Sequence, residues 1–597
     1  MSVARGFAAA EKNARETMNY HLRTCGVWHQ YERGKIDWKE NPTYNAYKEY
    51  VWQLGRFNFL KDLGDYYAAS KDPEAARTFV EMISSWIDQA DYNNDNPFPR
   101  KDGHDGVCWR SLDAGIRVKN WAIAWEKFRD APEITPEFKA KLYASLRQHG
   151  EHLVNFSTDC NWLLYEMTGL VYLSVLFPDL EKAAEWKTYA LDRLGKELNR
   201  QLFPDGFQYE LTTGYHGSLA INYLRILDLL AAHNEKMPSF ASDGLERAYE
   251  LYVKVMRPDG KYPGLNDASP EACSGYLESA LRYYPERPDF LFIASKGKKG
   301  AKPPYNSIAL DYAGAFFVRT GWGEKDVWAY MDCGPFGRAH QHEDKLNFLL
   351  FAYGKEMVRD GCNYEYDRSE MRQYVLSTRA HNTVMIDHKE QNRRAGFKWH
   401  DEDISKKADF TYSVGGDVEW AKAKYVGKYG NKKEGEIEGA HKRSLYFVKN
   451  LDDFKPFFII DDVIGCKDDI KHDYEVIYHL EETQGFVQGA RDFAADFGDG
   501  VKLYGFCSTD AFKDQIGIKT PKLQGWKPVR KPGMEHEHTP IHTPSVVGKF
   551  SGSKRVVSVM YPTDDGDCPI AAVEAGEGIA DRDITIILKN DKRIKIQ

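Results

Sequence analysis

The polar side chains of residues 330–387 are the ones in this chain most suited to chemistry. His340 and His342 stand two apart, and Asp360 and His381 follow them. Residues two apart in an extended segment point to the same side, so the two histidines can face one pocket, and strand pairing can bring the other two residues beside them. Two neutral imidazoles and a carboxylate suit a borderline-soft divalent ion such as zinc. Two alternatives stay open: one histidine binds metal while the other transfers protons, or the histidines lie at strand ends and bond backbone carbonyls.

The elements that carry these residues are predicted to be short strands. Residues 346–351 and 384–386 are brief runs rich in apolar side chains, which is typical of strands. The polar residues therefore lie at strand ends or in the loops between strands. The same pattern continues to the C-terminal end of the chain, where turns separate runs rich in Val, Ile, Phe and Tyr. The predicted strands are 311–319, 327–333, 346–353, 383–387, 443–449, 456–463, 474–480, 501–507, 555–561 and 584–588.

The preceding half is predicted to be helical. From residue 1 to about residue 290, apolar side chains recur at three- and four-residue spacing. The predicted helices are 47–67, 73–89, 111–130, 136–156, 161–177, 180–201, 218–234 and 244–255. Helices followed by strands indicate separate α and β domains. We place the domains at 1–294 and 307–597, joined by a basic, Gly- and Pro-containing linker at 295–306.

Two helical segments carry unusual polar residues. Asn161 begins a predicted helix, where an asparagine can also serve simply as the cap. Residues 203–216 form a long glycine-containing connection that includes Glu210, Tyr215 and His216. Connections positioned by a rigid scaffold often carry function, which favours a functional role for this one.

A third segment holds two arginines at helical spacing. Arg110 and Arg117 are seven residues apart, so both can lie on one face of a helix. Pairing with Asp113 on the surface explains them as well as binding in a cleft does.

Together these motifs resemble those of the heparinase II/III-type polysaccharide lyases, a superfamily that includes heparin, heparan and chondroitin lyases and several alginate lyases. The strand half supplies His-x-His-x-Asp from residue 340, Asp-Gly from residue 360 and His-Asn-Thr-Val from residue 381. The helical half supplies an Asn at a helix start and then Pro-Asp-Gly, Glu and Tyr-His within residues 204–216. The resemblance implies an α+β multidomain fold, in which an N-terminal incomplete (α/α) toroid precedes a C-terminal antiparallel β-sandwich.

The resemblance also implies roles for individual residues. Those that match the superfamily's catalytic positions are Asn161, Tyr215 and His340. Those that match its metal ligands are His342, Asp360 and His381. The expected supporting or substrate-binding residues are Arg110, Arg117, Trp162, Glu210, His216 and Tyr374. The implied ion is structural and pins the loop that carries the catalytic histidine; zinc is the first choice, manganese is possible, and no organic cofactor is expected.

Elimination at a 4-linked uronic acid needs a neutralised carboxylate, removal of the C5 proton and protonation of the glycosidic oxygen. Asn161 can hydrogen-bond the carboxyl group without ionising. An imidazole titrates near neutrality, so His340 is a candidate base, and the Tyr215 hydroxyl can donate to the leaving oxygen. A tyrosine becomes a base only when cations lower its pKa from about 10, and nearby arginines or His216 are candidates for that. Tyr215 could perform both transfers if proton and leaving group share one face of the sugar, and Tyr374 could assist from the strand half.

The predicted substrate is a uronate-containing glycosaminoglycan: heparan sulfate, chondroitin sulfate or hyaluronan. Some alginate-acting members have His directly after the motif Asn, whereas this chain has Trp162. That difference favours glycosaminoglycan, and alginate remains the alternative.

Composition limits the other possibilities. The 597 residues exceed one core, and an apolar fraction of 42% argues against disorder. A net charge of −8 gives no overall attraction to nucleic acid or an anionic membrane, so an acidic polysaccharide needs a locally basic cleft. Nine scattered cysteines form neither a disulfide scaffold nor a zinc ribbon. No apolar run approaches the length of a membrane span. The first residues lack the apolar core of a signal peptide, so we expect either a cytoplasmic protein or a periplasmic or secreted one whose leader has been removed.

Two other functions are compatible with the same sequence. A glycoside hydrolase needs two carboxylates across a cleft, and the candidates are Asp105, Glu166, Asp205 and Glu210. A sugar-binding protein without catalysis needs neither the tyrosine nor the histidine.

A second group of histidines is a weaker metal candidate. His536, His538 and His542 lie in a Lys-, Pro- and Thr-rich stretch, for which a solvated surface loop is the preferred interpretation.

Overall fold

A computed structural model describes residues 2–90, 92, 108–242, 244–451, 454–576, 578 and 583–596. Its elements follow the predicted order, with helices first and strands afterwards. The helices are α1 (Ser2–Met18), α2 (Lys48–Leu54), α3 (Leu60–Ser70), α4 (Pro73–Gln89), α5 (Ser111–Phe128), α6 (Pro136–Asn155), α7 (Cys160–Leu176), α8 (Ala183–Gln201), α9 (Thr213–Ala232), α10 (Leu245–Val255), α11 (Cys273–Ala280), α12 (Pro288–Ala294) and α13 (Glu370–Leu376).

The strands occupy most of the second half. They are β1 (His21–Thr24), β2 (Val27–Gln30), β3 (Ile308–Leu310), β4 (Ala315–Arg319), β5 (Trp328–Asp332), β6 (Phe348–Ala352), β7 (Lys355–Val358), β8 (Val384–Ile386), β9 (Phe410–Ser413), β10 (Val418–Tyr429), β11 (Ile437–Val448), β12 (Phe457–Cys466), β13 (His472–Ile477), β14 (Gly485–Gln488), β15 (Asp492–Asp496), β16 (Lys502–Cys507), β17 (Ala511–Asp514), β18 (Trp526–Lys527), β19 (Thr539–Pro540), β20 (Pro544–Phe550), β21 (Ser553–Thr563), β22 (Ile570–Ala575), β23 (Ile584–Leu588) and β24 (Arg593–Ile596).

The β domain is layered around one eight-stranded antiparallel sheet in the order β14-β15-β16-β21-β12-β11-β10-β9. Successive residues of a strand face opposite sides, so β12 serves two cores at once. Phe458 and Ile460 pack into the sandwich core with the five-stranded sheet β3-β4-β5-β6-β7 and the four-stranded sheet β17-β20-β13-β8. Phe457 and Ile459 pack on the other side, with the sheet β22-β23-β24.

The five-stranded sheet joins the two domains because it is buried on both faces. Phe316 and Val318 of β4 belong to the sandwich core, whereas Phe317 between them belongs to the core of the helical domain. Hydrogen bonds reinforce this contact. The carboxylate of Asp205 accepts from the backbone N–H groups of Tyr312 and Ala313 at 2.8 and 2.9 Å. The domains therefore meet over a packed apolar surface, which fixes side chains on either side of the junction relative to one another.

Two predicted helices differ from the structure near the site. The helix predicted over 47–67 is two helices, because the chain turns at Phe57, whose φ is +57°. The helix predicted to begin at residue 218 begins at Thr213, so Tyr215 lies in its first turn and not in the preceding loop. Apolar spacing alone marks neither boundary.

The longest strand the prediction missed is β10. It alternates charged or polar residues with small and aromatic ones, and its burial alternates accordingly. The prediction favoured continuous Val- and Ile-rich runs, which are typical of strands buried on both faces. It also missed helix α13.

None of the helices in the described residues has both the length and the apolarity that a membrane crossing requires.

Helices α5 and α7, which carry cleft residues, cross in direct backbone contact at two glycines. A Cβ on Gly169 would lie 2.2 Å from the carbonyl oxygen of Gly115. We expect Gly169→Ala to lower the free energy of unfolding by about 3 kcal/mol, because the helices must separate. Gly275→Ala, in helix α11, is the matched control: its Cβ meets nothing within 4 Å, and it should stabilise by roughly 0.5–1 kcal/mol. Denaturant unfolding of both variants measures the difference, and equal effects would contradict the close crossing.

Candidate active site at the domain junction

A cleft of about 580 Å³ runs through the helical domain to its junction with the β domain. His340 and Tyr366 come from the β domain. The remaining lining residues come from the helical domain: Glu49, Trp52, Gln53, Arg56, Asn58, Arg110, Leu112, Ile116, Lys119, Asn161, Trp162, Tyr165, Tyr215, Ser218 and Arg225. The cleft thus brings together the three residues that the sequence motifs assign to catalysis.

An aromatic pair forms the junction end of the cleft. The ring of Tyr215 stacks on the imidazole of His340 with centroids 3.7 Å apart and planes 18° from parallel. The hydroxyl of Tyr366 lies 2.5 Å from the hydroxyl of Tyr215 and 3.3 Å from Nδ1 of His340. The three rings hold one another, so the phenol and the imidazole share a fixed geometry.

Asp267, from the connection between α10 and α11, sets the orientation of His340. Its Oδ2 lies 3.0 Å from Nδ1 of the imidazole. A carboxylate only accepts hydrogen bonds, so Nδ1 carries the proton and Nε2 carries the lone pair. The backbone of His340 has φ +59°, a region uncommon for residues other than glycine, and this carboxylate helps to hold it there.

The same carboxylate has two further partners in the β domain. Its oxygens lie 3.1 Å from Nε2 of His342 and 2.5 and 2.9 Å from the guanidinium of Arg372. Burial by itself would raise the pKa of Asp267, but the hydrogen bonds from His340, His342 and Arg372 lower it well below its usual value. Asp267 therefore stays ionised and ties three β-domain side chains to the helical domain.

Glu210 holds Asn161 in place. Nδ2 of the amide lies 3.1 Å from each carboxylate oxygen of Glu210, and the backbone N–H of Asn161 donates to the same group at 3.2 Å. Gln208 adds a further donor at 3.2 Å. Glu210 also lies 3.7 Å from Nε2 of His340, so one buried carboxylate is shared by the amide and the imidazole.

The phenol of Tyr215 is held in its protonated form. Burial, with the negative charge of Asp267, raises the pKa of Tyr215 well above its usual value. His216, one of the two candidate sources of a positive charge that would lower that pKa, does not supply one. Its Nε2 lies 2.7 Å from the carbonyl of Ala248, and burial lowers its pKa to about 4, so the imidazole is neutral at pH 7.

The two arginines at seven-residue spacing, Arg110 and Arg117, lie in different environments. Arg110 lines the cleft, where its guanidinium lies 3.8 Å from the ring of Trp52 and 4.8 Å from that of Trp162 and pairs with Asp113 at 2.7 Å. Arg117 is fully buried and does not line the cleft.

Arg117 instead serves the helical core. It donates to Nε2 of His149 and to the backbone carbonyls of Gly55 and Cys108 at 2.8–3.0 Å. Burial lowers its pKa to about 9. The seven-residue spacing fails to place both arginines in the cleft because the first lies just before the helix begins.

Tyr374 also lies away from the cleft. It is buried in the β domain, with its hydroxyl 3.2 Å from Nε2 of His479. The tyrosine that reaches the cleft from the β domain is Tyr366.

Three residues form a buried group that could hold a metal ion. Ligand atoms of His342, Asp360 and His381 lie within 4.8 Å of one another. Among the described residues, none gives a hydrogen bond to the buried Nδ1 of His342, while its Nε2 bonds Asp267. His381 lies 3.1 Å from the carbonyl of Val375 through Nε2 and 3.0 Å from Asp360 through Nδ1. Nδ1 of His342 is thus available, while Nδ1 of His381 faces the carboxylate of Asp360 and its Nε2 is held from behind, and this donor set fits a divalent ion.

The second group of histidines, for which a surface loop is the preferred interpretation, forms no ligand cluster among the described residues. His536 bonds two backbone carbonyls, His538 accepts from the N–H of Val529, and His542 pairs with Asp514. The only ligand group found in the described part of the chain is the one above.

None of the hydrolase candidates in the described part of the chain lines the cleft. Glu166 is bonded to Ser111 and Thr158, and Asp205 lies at the domain contact described above. Asp105 falls outside the described residues, as does the neighbouring His104. Among the described lining residues, Glu49 is the one carboxylate.

Two protein-family models match this chain. The heparinase II/III N-terminus model matches residues 6–292, and the heparinase II/III-like C-terminal model matches residues 302–522. The chain belongs to the heparinase II/III-like superfamily of polysaccharide lyases. The solved structure of heparinase III superposes with a TM-score of 0.80 over 98% of this chain and 90% of that chain, at 16% identity. The predicted fold, a toroid followed by a β-sandwich, is confirmed.

Two relatives are similar over most of their length. A heparin-sulfate lyase of Bacteroides stercoris is 27% identical over 516 residues, which cover 82% of this chain and 72% of the relative. A heparin-sulfate lyase of Pedobacter heparinus is 23% identical over 563 residues, which cover 92% of this chain and 79% of the relative.

The sequence motifs of this lyase do not include Asp267, Tyr366 or Arg372. Asp267 lies in a stretch rich in Pro, Gly, Asn and Asp, where Asp259 looks equally suitable. Only the three-dimensional structure distinguishes Asp267 from Asp259. Asn266, at φ +56°, donates to the carbonyl of Leu211 and accepts from the backbone of His342, which turns the next residue into the junction.

We expect the lyase to bind one divalent ion per chain, and His342→Ala to lower the bound fraction at least tenfold, because a ligand is lost. Elemental analysis of the wild-type and variant proteins after exposure to zinc and manganese measures the amount of metal bound per chain. His538→Ala is the matched control and should retain the wild-type content. A wild-type protein without metal, or a His342→Ala variant with full content, would contradict the site.

Asp267→Asn should lower kcat about 100-fold with KM within threefold, because the amide keeps one acceptor but loses the charge and the second acceptor that fix the tautomer of the imidazole. Asp259→Asn, which alters a carboxylate paired with Arg257 in the same connection, should leave kcat unchanged. Steady-state kinetics on both variants, together with their melting temperatures, separates positioning from general loss of structure. Equal kcat values for the two variants would remove the role given to Asp267.

Proposed function

We propose that this lyase cleaves a uronic-acid-containing glycosaminoglycan of the heparan sulfate type by β-elimination. The observation that carries the proposal is the meeting of an amide, a phenol and an imidazole, from Asn161, Tyr215 and His340, at one end of a cleft. The names of the two heparin-sulfate lyase relatives support the substrate class. The products are oligosaccharides with a 4,5-unsaturated uronate at the new non-reducing end.

The first requirement is to stabilise the carboxyl group while charge builds beside it. Asn161 is suited to this because an amide donates without carrying a charge that would have to be desolvated. Its nitrogen is equidistant from two oxygens of Glu210, so one N–H can be shared between them while the other turns to the sugar. Glu210 thus acts as the anchor of the amide.

The second requirement is a base for the C5 proton. His340 meets it, because its Nδ1 proton is committed to Asp267 and its Nε2 lone pair remains. The imidazolium that forms has Asp267 on one nitrogen and Glu210 at 3.7 Å from the other. Two carboxylates therefore stabilise the charge that the transfer creates.

The third requirement is an acid for the leaving glycosidic oxygen. Tyr215 suits it, since its raised pKa keeps the phenol protonated. The contact with Tyr366 gives the phenol a partner to and from which a proton can move. This division favours His340 as base and Tyr215 as acid over a mechanism in which the tyrosine performs both transfers.

The metal group supports this arrangement from behind. His342, Asp360 and His381 would hold the ion, and its positive charge would neutralise the buried carboxylate and fix the ligands in position. His342 bonds the same Asp267 that orients His340, so fixing one histidine helps to fix the other. The ion in this proposal is structural.

The test is turnover of a panel of heparan sulfate, chondroitin sulfate, hyaluronan and alginate, followed by ultraviolet absorbance of the unsaturated product. We expect heparan sulfate to give the highest kcat/KM, with a chromophore and no added water. Reducing ends that appear without absorbance would indicate hydrolysis, and alginate as the best substrate would overturn the substrate class.

Two tyrosine variants assign the acid. Tyr215→Phe should lower kcat by at least 100-fold while oligosaccharide affinity stays within threefold, because only the proton donor is removed. Tyr374→Phe, which removes a hydroxyl outside the cleft, should keep wild-type kcat. Full activity of Tyr215→Phe would contradict the assignment of Tyr215 as the acid.

A further inference from the structure

The cleft has a second end, and its charges differ from those of the junction. Lys119 of α5 and Arg225 of α9 both line it there. Neither side chain forms an ion pair or hydrogen bond with any other residue in the part of the chain that the structure describes, and Arg225 is exposed. The other two Lys or Arg residues among the described lining residues, Arg56 and Arg110, are each paired with a carboxylate, so two unpaired cations in the same cleft are a distinct feature.

The other two arginines of the cleft form ion pairs with carboxylates. Arg56 lies 2.6 Å from Asp113 and 3.5 Å from Glu49. Arg110 lies 2.7 Å from the same Asp113 and 3.9 Å from Glu49. Two positive and two negative charges cancel there, which leaves the cleft's uncompensated positive charge at Lys119 and Arg225.

The positions follow from helical spacing. Tyr215, Ser218 and Arg225 recur on one face of α9, and Leu112, Ile116 and Lys119 on one face of α5. Arg225 is ten residues beyond Tyr215, which is about 15 Å along the helix axis. Arg225 is therefore displaced from Tyr215 along α9 by more than the length of one sugar ring, which places it over a neighbouring unit of a bound chain.

The two cations also repel each other. Burial, with the charges of Arg225 and Arg56, lowers the pKa of Lys119 to about 7. A mutually repelling pair without a carboxylate gains stability when an anion lies between its members. A structural role is less suitable, since a buried structural cation here bonds protein acceptors, as Arg117 bonds three, whereas Lys119 and Arg225 have none among the described residues.

We propose that Lys119 and Arg225 form a subsite for an anionic substituent, a sulfate or a carboxylate, on a sugar unit beyond the one that reacts. This rests on the proposed function, because the same cleft holds both units. The subsite makes the neighbouring substituent a determinant of affinity, while the chemistry stays with the residues at the junction.

The test is the affinity of two oligosaccharides with the same backbone, one sulfated and one unsulfated and N-acetylated, for Lys119→Met, Arg225→Gln and the double variant. Calorimetry with each variant combined with Tyr215→Phe measures Kd without turnover, and kinetics on the polymers follow with Tyr215 intact. We expect about a tenfold rise in Kd for each single variant and a larger rise for the double variant, with kcat within twofold. Arg225→Lys should recover part of the affinity because it keeps the charge.

The two oligosaccharides separate the sources of the anion. A rise confined to the sulfated one indicates a sulfate, and an equal rise on both indicates a carboxylate; either supports the subsite. Lys196→Met, on the outer face of α8, is the control for loss of a lysine and should not change Kd. Kd values within twofold of wild type on both oligosaccharides, with Arg225→Gln folded as judged by its melting temperature, would overturn the subsite.

The proposed function can fail separately. If neither the sulfated nor the unsulfated polysaccharide is cleaved but Kd still depends on Lys119 and Arg225, the proposed substrate is wrong and the anion subsite stands.

Discussion

The site depends on one buried carboxylate that belongs to one domain and is used by the other. Asp267 accepts from His340, His342 and Arg372, all of which come from the β domain. An ionised carboxylate this deeply buried is stable only when its lone pairs are filled, so the domains cannot shift without leaving a buried charge unpaired. The same bonds orient the candidate base and one candidate metal ligand. Domain docking, metal binding and the tautomer of the imidazole are therefore linked through a single side chain.

The β domain is held in the position that these contacts require because both faces of its five-stranded sheet are packed. Phe317 packs toward the helices while Phe316 and Val318 pack toward the sandwich, so β4 is fixed from both sides. The loop that carries His340 leaves the neighbouring strand of that sheet, β5, and its left-handed backbone at His340 is held by the contacts at the junction. A positive φ at a residue other than glycine costs of the order of 1–3 kcal/mol and persists where the surroundings over-determine it.

Much of the fold and part of the site could be predicted from the sequence, and the division has a physical cause. Helical spacing and strand-like runs report local burial, so the order of elements and the domain types followed from them. The motif residues His342 and Asp360 come before and after the paired strands β6 and β7, and His381 precedes β8 of the other sheet that packs into the same core, so the three converge. Asp267 and Tyr366 could not be found in this way, since nothing local distinguishes a carboxylate that points into a domain junction from one on the surface. The expected position of Arg117 in the cleft is not observed for a related reason. Helical spacing predicts the face of the helix on which a residue lies, but not whether that face meets the cleft or the core.

The distribution of charge along the cleft suggests how one site can bind a polyanion and still abstract a proton. A cation next to an imidazole disfavours its protonation, so an unpaired arginine beside His340 would oppose the transfer that the base must make. Arg372, the nearest guanidinium to Asp267, is neutralised by that carboxylate, and the reacting groups Asn161 and Tyr215 are uncharged polar donors. The unpaired charges, Lys119 and Arg225, lie at the other end, where they can attract an acidic chain without acting on the imidazole. Separation along the helices lets attraction and basicity coexist in a protein whose overall charge is negative.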